Sequence, residues 1–378
     1  MKILLVGEYS RLHNSLQEGL KALGHQVTLV STGDDFKNFP ADVLLKKKYV
    51  TGFFRKVLVG IYKLSGINIS SVSVQKQFFN QKEKFTDFDV VQLINESPFG
   101  IAPKAEKEII SFLKKHNKKL FLLSCGADYT NVKYALEKKL KYSIFEDYFS
   151  GKIQKKQIDF ALKYSTQPFK ELHHWLVNMV DGIVASDIDY HLPLTGKPNY
   201  LGMIPNPVNL SKIRYIENPV TDKITIFLGI NRSNYHSKGI RFFEEALQII
   251  NKKYREKVTI VVVENLPYNQ YIHRYNQAHI VLDQVLSYDQ GYNALEAMAK
   301  GKVVFTGAEK EFEEFYNLDF PVAINALPNA QKIANELEKL IKNPELITQI
   351  GANARLFIEK HHDFKQIAKR YLDSWKNN

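Results

Sequence analysis

Two stretches place charged and polar residues where a buried strand gives way to a helix. In RSNYHSKG (232–239), Arg232 and Lys238 follow the apolar run ITIFLGIN (224–231). In SYDQGYNALEAMAKGK (287–302), a polar turn containing Gly291 follows HIVLDQV (279–285) and opens a helix. A helix N-terminus presents unpaired N–H groups and the positive end of the dipole, which suits an anion. Two cations beside such an end are favourable when an anion lies between them. A diphosphate fits, because Arg offers bidentate donors and Lys a point charge, and both would stabilise charge on a departing phosphate. Taken alone, each stretch also reads more simply, as solvated loop cations or as a turn that starts a helix.

The elements that must position these residues alternate strand and helix. KILLVG (2–7), a helical pattern with Leu16, Leu20 and Leu23, and QVTLVS (26–31) form a β–α–β opening. FDVVQLIN (88–95), a helix through 101–116, KLFLLSCG (119–126) and GIVASD (182–187) continue it. Four prolines and two glycines in HLPLTGKPNYLGMIPNPVNLSKI (191–213) mark a connection. Beyond it the alternation resumes with ITIFLGIN, VTIVVVEN (258–265), HIVLDQV and KVVFTG (302–307), and residues 330–376 are helical throughout. The fold class is α/β, with two doubly wound parallel sheets whose ligand crevices lie at the C-terminal ends of their strands.

With those elements in place, ALGHQVTLVS (22–31), IPNPVNLSKI (204–213), the Arg232/Lys238 pair and GYNALEAMAKGKVVFTG (291–307) together resemble the glycosyltransferases of the GT-B fold, retaining family 4 type. The resemblance runs in order over nearly the full length. It implies an N-terminal acceptor-binding domain (1–203), a C-terminal nucleotide-sugar-binding domain (204–355) and a final helix (356–378) returning to the first domain, with a cleft between the two. It also implies that Arg232 and Lys238 hold the diphosphate of a UDP- or GDP-linked sugar and that Glu296 contacts the ribose. Arg232 stands one residue further from Lys238 than the family pattern has it. Many members carry a second glutamate eight positions before the first, directed at the transferred sugar; here that position is Tyr288. Asp289, or Asp283 and Gln284 at the end of the preceding strand, are the candidates to take over the sugar hydroxyls. The N–H groups around Gly291, Tyr292 and Asn293 face the phosphates. The resemblance implies no protein nucleophile, because the donor phosphate helps to deprotonate the incoming hydroxyl.

In the first domain, GEYSRLH (7–13), NESPFG (95–100) and SCGADY (124–129) all follow strands and open on one crevice, offering His13, Asn95 and Glu96 to an acceptor. Asp128 matches an acidic position of the family and is the candidate polar group near the reacting sugar. Cys125 stands where the family often has a histidine. A lone strand-end cysteine reads as a small buried apolar residue rather than a nucleophile. His173 and His174 are uninformative by sequence.

Composition bounds the remainder. One cysteine in 378 residues excludes an intrachain disulfide framework and a Cys-based zinc cluster, and no Asp-x-Asp pair suggests a metal. No cofactor is expected. No apolar run is long enough to span a bilayer, which points to the cytoplasm. The net charge is +12, and residues 41–160 hold 22 Lys/Arg against 12 Asp/Glu. Within them, KKKYVTGFFRKVLVGIYKLSG (46–66) interleaves cations with aromatic and aliphatic residues, as a helix lying in an anionic membrane interface would, or as any amphipathic helix with a basic face. The reading that joins these features is a retaining glycosyltransferase, peripheral at the inner face of the cytoplasmic membrane, acting on a glycan or polyprenyl-linked acceptor in bacterial surface polysaccharide synthesis, such as capsule or O-antigen. A GT-B nucleotide-sugar epimerase and a catalytically silent nucleotide-sugar-binding protein are the alternatives. No nucleic-acid reading module is present.

Overall fold

A computed structural model describes residues 1–33, 39–47, 68–266 and 268–378. Most of the basic aromatic segment 46–66 lies outside the described residues. The chain divides into two compact units: Met1–Lys133 with Phe160–Pro207 and Phe364–Asn378, and Tyr134–Asp159 with Val208–Asp363.

The first unit holds seven parallel strands among the described residues: β1 (Lys2–Val6), β2 (Gln26–Ser31), β3 (Val43–Leu44), β4 (Val90–Leu93), β5 (Lys119–Ser124), β6 (Gly182–Ala185) and β7 (Tyr200–Met203). Their order is β3-β2-β1-β4-β5-β6-β7. Ile3, Leu4, Leu5 and Val6 are all fully buried, as expected for a strand covered on both faces by crossover helices. The helix Phe364–Asn377 belongs to this unit and lies against Leu12–Ala22. The approach is so close that a Cβ on Gly19 would lie 2.3 Å from the Phe364 carbonyl oxygen. Ile367, Tyr371, Leu372 and Trp375 enter the same core as Ile3, Leu5 and Leu16, and the Trp375 indole donates to Gln92 Oε1 at 2.9 Å.

The second unit holds five parallel strands among the described residues: β8 (Ile224–Ile230), β9 (Val258–Glu264), β10 (Ile280–Leu282), β11 (Val303–Thr306) and β12 (Ile324–Asn325), in the order β12-β11-β10-β8-β9. Residues 134–159 precede β6 in the sequence yet belong here, and their polar contacts show why. The buried Asp147 carboxylate lies 3.0 Å from His236 Nδ1 and accepts from Arg241 Nε at 3.0 Å. Lys141 Nζ and the Tyr142 hydroxyl donate to the two oxygens of Glu309, at 2.9 and 2.6 Å.

Candidate functional site

In an open parallel sheet the crevice forms where the chain leaves a strand to one side and its neighbour to the other. In the second unit that point falls between β8, which continues to β9, and β10 on its opposite flank. Both sequence-selected stretches begin there. The loop after β8 is fastened to the end of β10, because the Lys238 carbonyl accepts from Val285 N–H at 2.8 Å. Gly239 permits this approach: its φ is +67°, and a Cβ would lie 3.0 Å from Val285 Cβ.

Lys238 Nζ donates to Asp283 Oδ1 at 2.8 Å, and Asn293 Nδ2 donates to the same oxygen at 2.9 Å. Asn293 is itself fixed by Tyr271, whose hydroxyl donates to its side-chain oxygen at 3.2 Å, and by Tyr275, whose hydroxyl donates to its carbonyl at 2.9 Å. The Asp283 side chain is 1% exposed and that of Lys238 is 31% exposed, so an enclosed carboxylate anchors a lysine that is still partly open to solvent. Asp283 Oδ2 is buried and makes no hydrogen bond. The helix Tyr292–Ala299 begins at Gly291 with no side-chain cap and no acidic residue in its first turn. A Cβ on Gly291 would lie 3.4 Å from Gln284 Oε1 and 3.8 Å from Asp283 Oδ2. The structure thus gathers Lys238, Asp283, Gln284, Gly291 and Asn293.

Other expected residues face elsewhere. Arg232 Nη2 donates to Glu264 Oε2 at 2.6 Å at the end of β9, with both side chains exposed. This contact pushes the arginine pKa up and the glutamate pKa down. Glu296 lies one turn along its helix, paired with Lys300 at 3.0 Å. Asp289 is buried, and its Oδ1 accepts from Gln290 N–H at 2.7 Å while its carbonyl accepts from Ser287 and Gln284. That is the work of a turn residue. Tyr288 is 2% exposed. Its hydroxyl accepts from Lys141 N–H at 2.6 Å, and its ring lies 5.4 Å from that of Tyr142. A cavity of about 570 Å³ in this unit, lined by Ile324, Leu327, Lys332, Lys339, Leu346 and Asn353 among others, contains none of these residues.

The polar residues expected at the first unit's crevice are buried, and apart from His13 Nε2, which makes no hydrogen bond, they are held within it. His13 Nδ1 contacts the Gly7 carbonyl at 2.7 Å, and burial pushes its pKa down to about 3. Asn95 donates to the carbonyls of Cys125 and Ala127 at 2.8 and 3.2 Å and accepts from Ser97 N–H at 3.0 Å. Glu96 accepts from Tyr129 N–H at 3.0 Å and lies 2.8 Å from His173 Nδ1. Asp128 accepts from Asn131 N–H at 2.7 Å at the start of the helix Tyr129–Leu136, and from the Ser124 hydroxyl. Burial drives Glu96 up to about 8, and burial followed by the Glu96 charge raises Asp128. His173 is lowered by burial. Burial also raises the Cys125 thiol, which keeps it protonated and inert. Sequence reading missed three partners, namely Glu264 of Arg232, His173 of Glu96 and Lys141 of Tyr288, which meet across 32 to 147 positions.

Among the described residues no three His, Cys, Asp or Glu are grouped to hold a metal ion, and no helix is long and apolar enough to cross a membrane.

Residues 236–373 match a family model described as glycosyl transferase-like. Among curated proteins none matches. Sucrose-phosphate synthase from Thermosynechococcus elongatus is similar in structure, with a TM-score of 0.63 at 14% identity over 100% of this chain and 99% of that one. Anabaena HepE in complex with UDP and glucose gives 0.58 at 13% identity, with both chains wholly covered. UDP-GlcNAc 2-epimerase from Neisseria meningitidis, bound to UDP-GlcNAc, gives 0.52 at 13% identity, again over both whole chains. Residues 236–373 are therefore similar to a glycosyl transferase-like domain, and the whole chain has the GT-B fold that sucrose-phosphate synthase and HepE share.

Proposed function

We propose that the protein is a retaining, metal-independent glycosyltransferase that uses a nucleoside-diphosphate sugar. The observation that carries this reading is the partly exposed side chain of Lys238, anchored on Asp283 at the strand-end crevice of the second unit, in the same cluster as the start of Tyr292–Ala299, which no side chain caps, and inside the segment that matches the glycosyl transferase-like family. A diphosphate held there would meet one fixed cation and several oriented N–H groups. These stabilise the negative charge that grows as the bond from the anomeric carbon to the phosphate oxygen breaks. The acceptor oxygen forms the new glycosidic bond, and its proton leaves on the departing diphosphate. The bound UDP of HepE and UDP-GlcNAc of the epimerase favour uridine as the base. Arg232 reaches the phosphates only by exchanging Glu264 for them, and Glu296 reaches the ribose only by leaving Lys300.

The acceptor in this reading is a glycan or polyprenyl-linked glycan of a bacterial surface polysaccharide, handled by a cytoplasmic enzyme peripheral to the membrane. The uneven positive charge of residues 41–160 supports it. Co-sedimentation with anionic vesicles, lost on neutralising Lys46–Lys48, tests that part.

The test of donor binding is calorimetric titration with UDP and GDP on the native protein and on Lys238→Gln. Glutamine is more informative than alanine, because truncation would leave the buried Asp283 carboxylate with the Asn293 amide but nothing in place of the ammonium. The variant should fold and bind the preferred nucleotide at least roughly a hundredfold more weakly. Equal affinity in native protein and variant, or no binding by either nucleotide, would overturn the assignment.

A further inference from the structure

We propose that Asp283 Oδ2 is the acceptor for a hydroxyl of the transferred sugar, making Asp283 the residue by which the site prefers a nucleotide sugar to the bare nucleotide. The inference rests on the donor reading above and goes beyond it by assigning the sugar subsite. A buried carboxylate oxygen without a hydrogen bond is costly, because the group has left water and gained no donor in exchange. The other oxygen of Asp283 already takes both Lys238 and Asn293. A Cβ on Gly291 would lie 3.8 Å from Oδ2 and 3.4 Å from Gln284 Oε1, so Gly291 and the Gln284 side chain are what stand beside that oxygen. An ionised carboxylate accepts only, so its complement is an O–H or N–H donor, and sugar hydroxyls are the donors a nucleotide sugar brings. The rival polar groups are already engaged. Asp289 holds its own turn, and Tyr288 is buried with its hydroxyl bonded to the Lys141 N–H. Gln284, which donates to the Asp289 carbonyl at 3.1 Å, is the cover that must rotate to admit the sugar.

The experiment measures an affinity ratio, that of the sugar conjugate over the bare nucleotide, for a panel of UDP- and GDP-hexoses in three proteins. Native protein should prefer one conjugate. Asp283→Asn retains the size and one acceptor but loses the charge, so it should lose roughly tenfold more affinity for the conjugate than for the bare nucleotide, whatever it loses for both through Lys238. Gly291→Ala adds a methyl at ordinary contact distance on a backbone with φ of −74°, so it should fold as native and lose the same preference by standing beside Oδ2. Unchanged ratios in both variants would overturn the proposal, as would a native protein that binds the nucleotide but prefers no conjugate. Failure of the bare nucleotide to bind at all would instead sink the donor reading and this inference with it. Because a purely structural defect lowers both affinities together, the ratio separates that outcome from loss of the hydroxyl contact.

Discussion

The two sheets reach the same topological position with opposite results. At the C-terminal ends of β1 and β4, Gly7 is packed so tightly that a Cβ would lie 2.3 Å from Ile94 Cγ2, and Asn95 is spent on three backbone groups. Glu96 next to it pairs with a backbone N–H and a histidine. At the ends of β8 and β10, a lysine is partly exposed, a helix starts with no side-chain cap and a carboxylate oxygen has no donor. The first crevice spends Asn95, Glu96 and Asp128 on the protein's own groups, although His13 Nε2 and Glu8 Oε1 make no hydrogen bond there. The difference teaches that a strand-end cluster of Asn, Glu, His and Asp is not by itself a ligand site. What distinguishes the second crevice is an unbonded carboxylate oxygen together with a partly exposed lysine, charge and hydrogen-bonding capacity in one place.

Mutations that separate stability from binding would break this comparison if they fail. The largest effect is expected from Asn95→Ala, which leaves two carbonyls and one N–H without their partner. We expect a loss of about 2–4 kcal/mol in denaturant unfolding with nucleotide affinity unchanged. A variant of native stability would mean that Asn95 is not spent on holding the first crevice.

Glu96 gives a second and smaller separation. Its carboxyl is raised from 4.5 to about 8 by burial, so between those values the folded protein keeps a proton that the unfolded chain has released. Stability is therefore full at low pH and declines as pH rises toward 8. His173, lowered by burial, acts in the opposite sense below its ordinary value of 6.5, and Asp128 and Lys163 face the same group. Glu106, which burial raises to about 7, adds to the same decline below that value, so the window from pH 7 to 8 is the one that isolates Glu96. The melting temperature should fall by a few degrees across it, and Glu96→Gln, which can still donate to His173, should flatten the profile. A flat native profile would contradict the buried, proton-holding pair. The smallest effect is expected at the exposed Arg232–Glu264 pair, where Glu264→Gln should leave the melting temperature unchanged. Because it frees Arg232, the same variant sharpens the comparison: tighter nucleotide binding would show that Arg232 can turn to the phosphates.

Much of the fold was legible because parallel strands buried on both faces read as unbroken Val, Ile and Leu runs, as in KILLV and VVFT. Lys238 and Asp283 drew notice for a local reason, since each stands in a segment that joins a strand to the next helix. What escaped was set by distance. Nothing near Glu96 announces His173, and nothing near Tyr288 announces that residues 141–142 will bury it. Asp128 shows the complementary limit, because an aspartate that caps a helix and one that meets a substrate look alike until their hydrogen bonds are counted.

The placement of Trp375 has a consequence for synthesis. Chains emerge from the ribosome at roughly 5–20 residues per second, and domains tend to close as they appear. The first unit begins with residue 1, yet its core takes Ile367, Tyr371 and Trp375. The second unit needs nothing beyond Asp363. The unit that is started first is thus the one completed last, and any product that stops short of Trp375 leaves the ribosome with its N-terminal apolar surface uncovered, a ready target for chaperones and proteases.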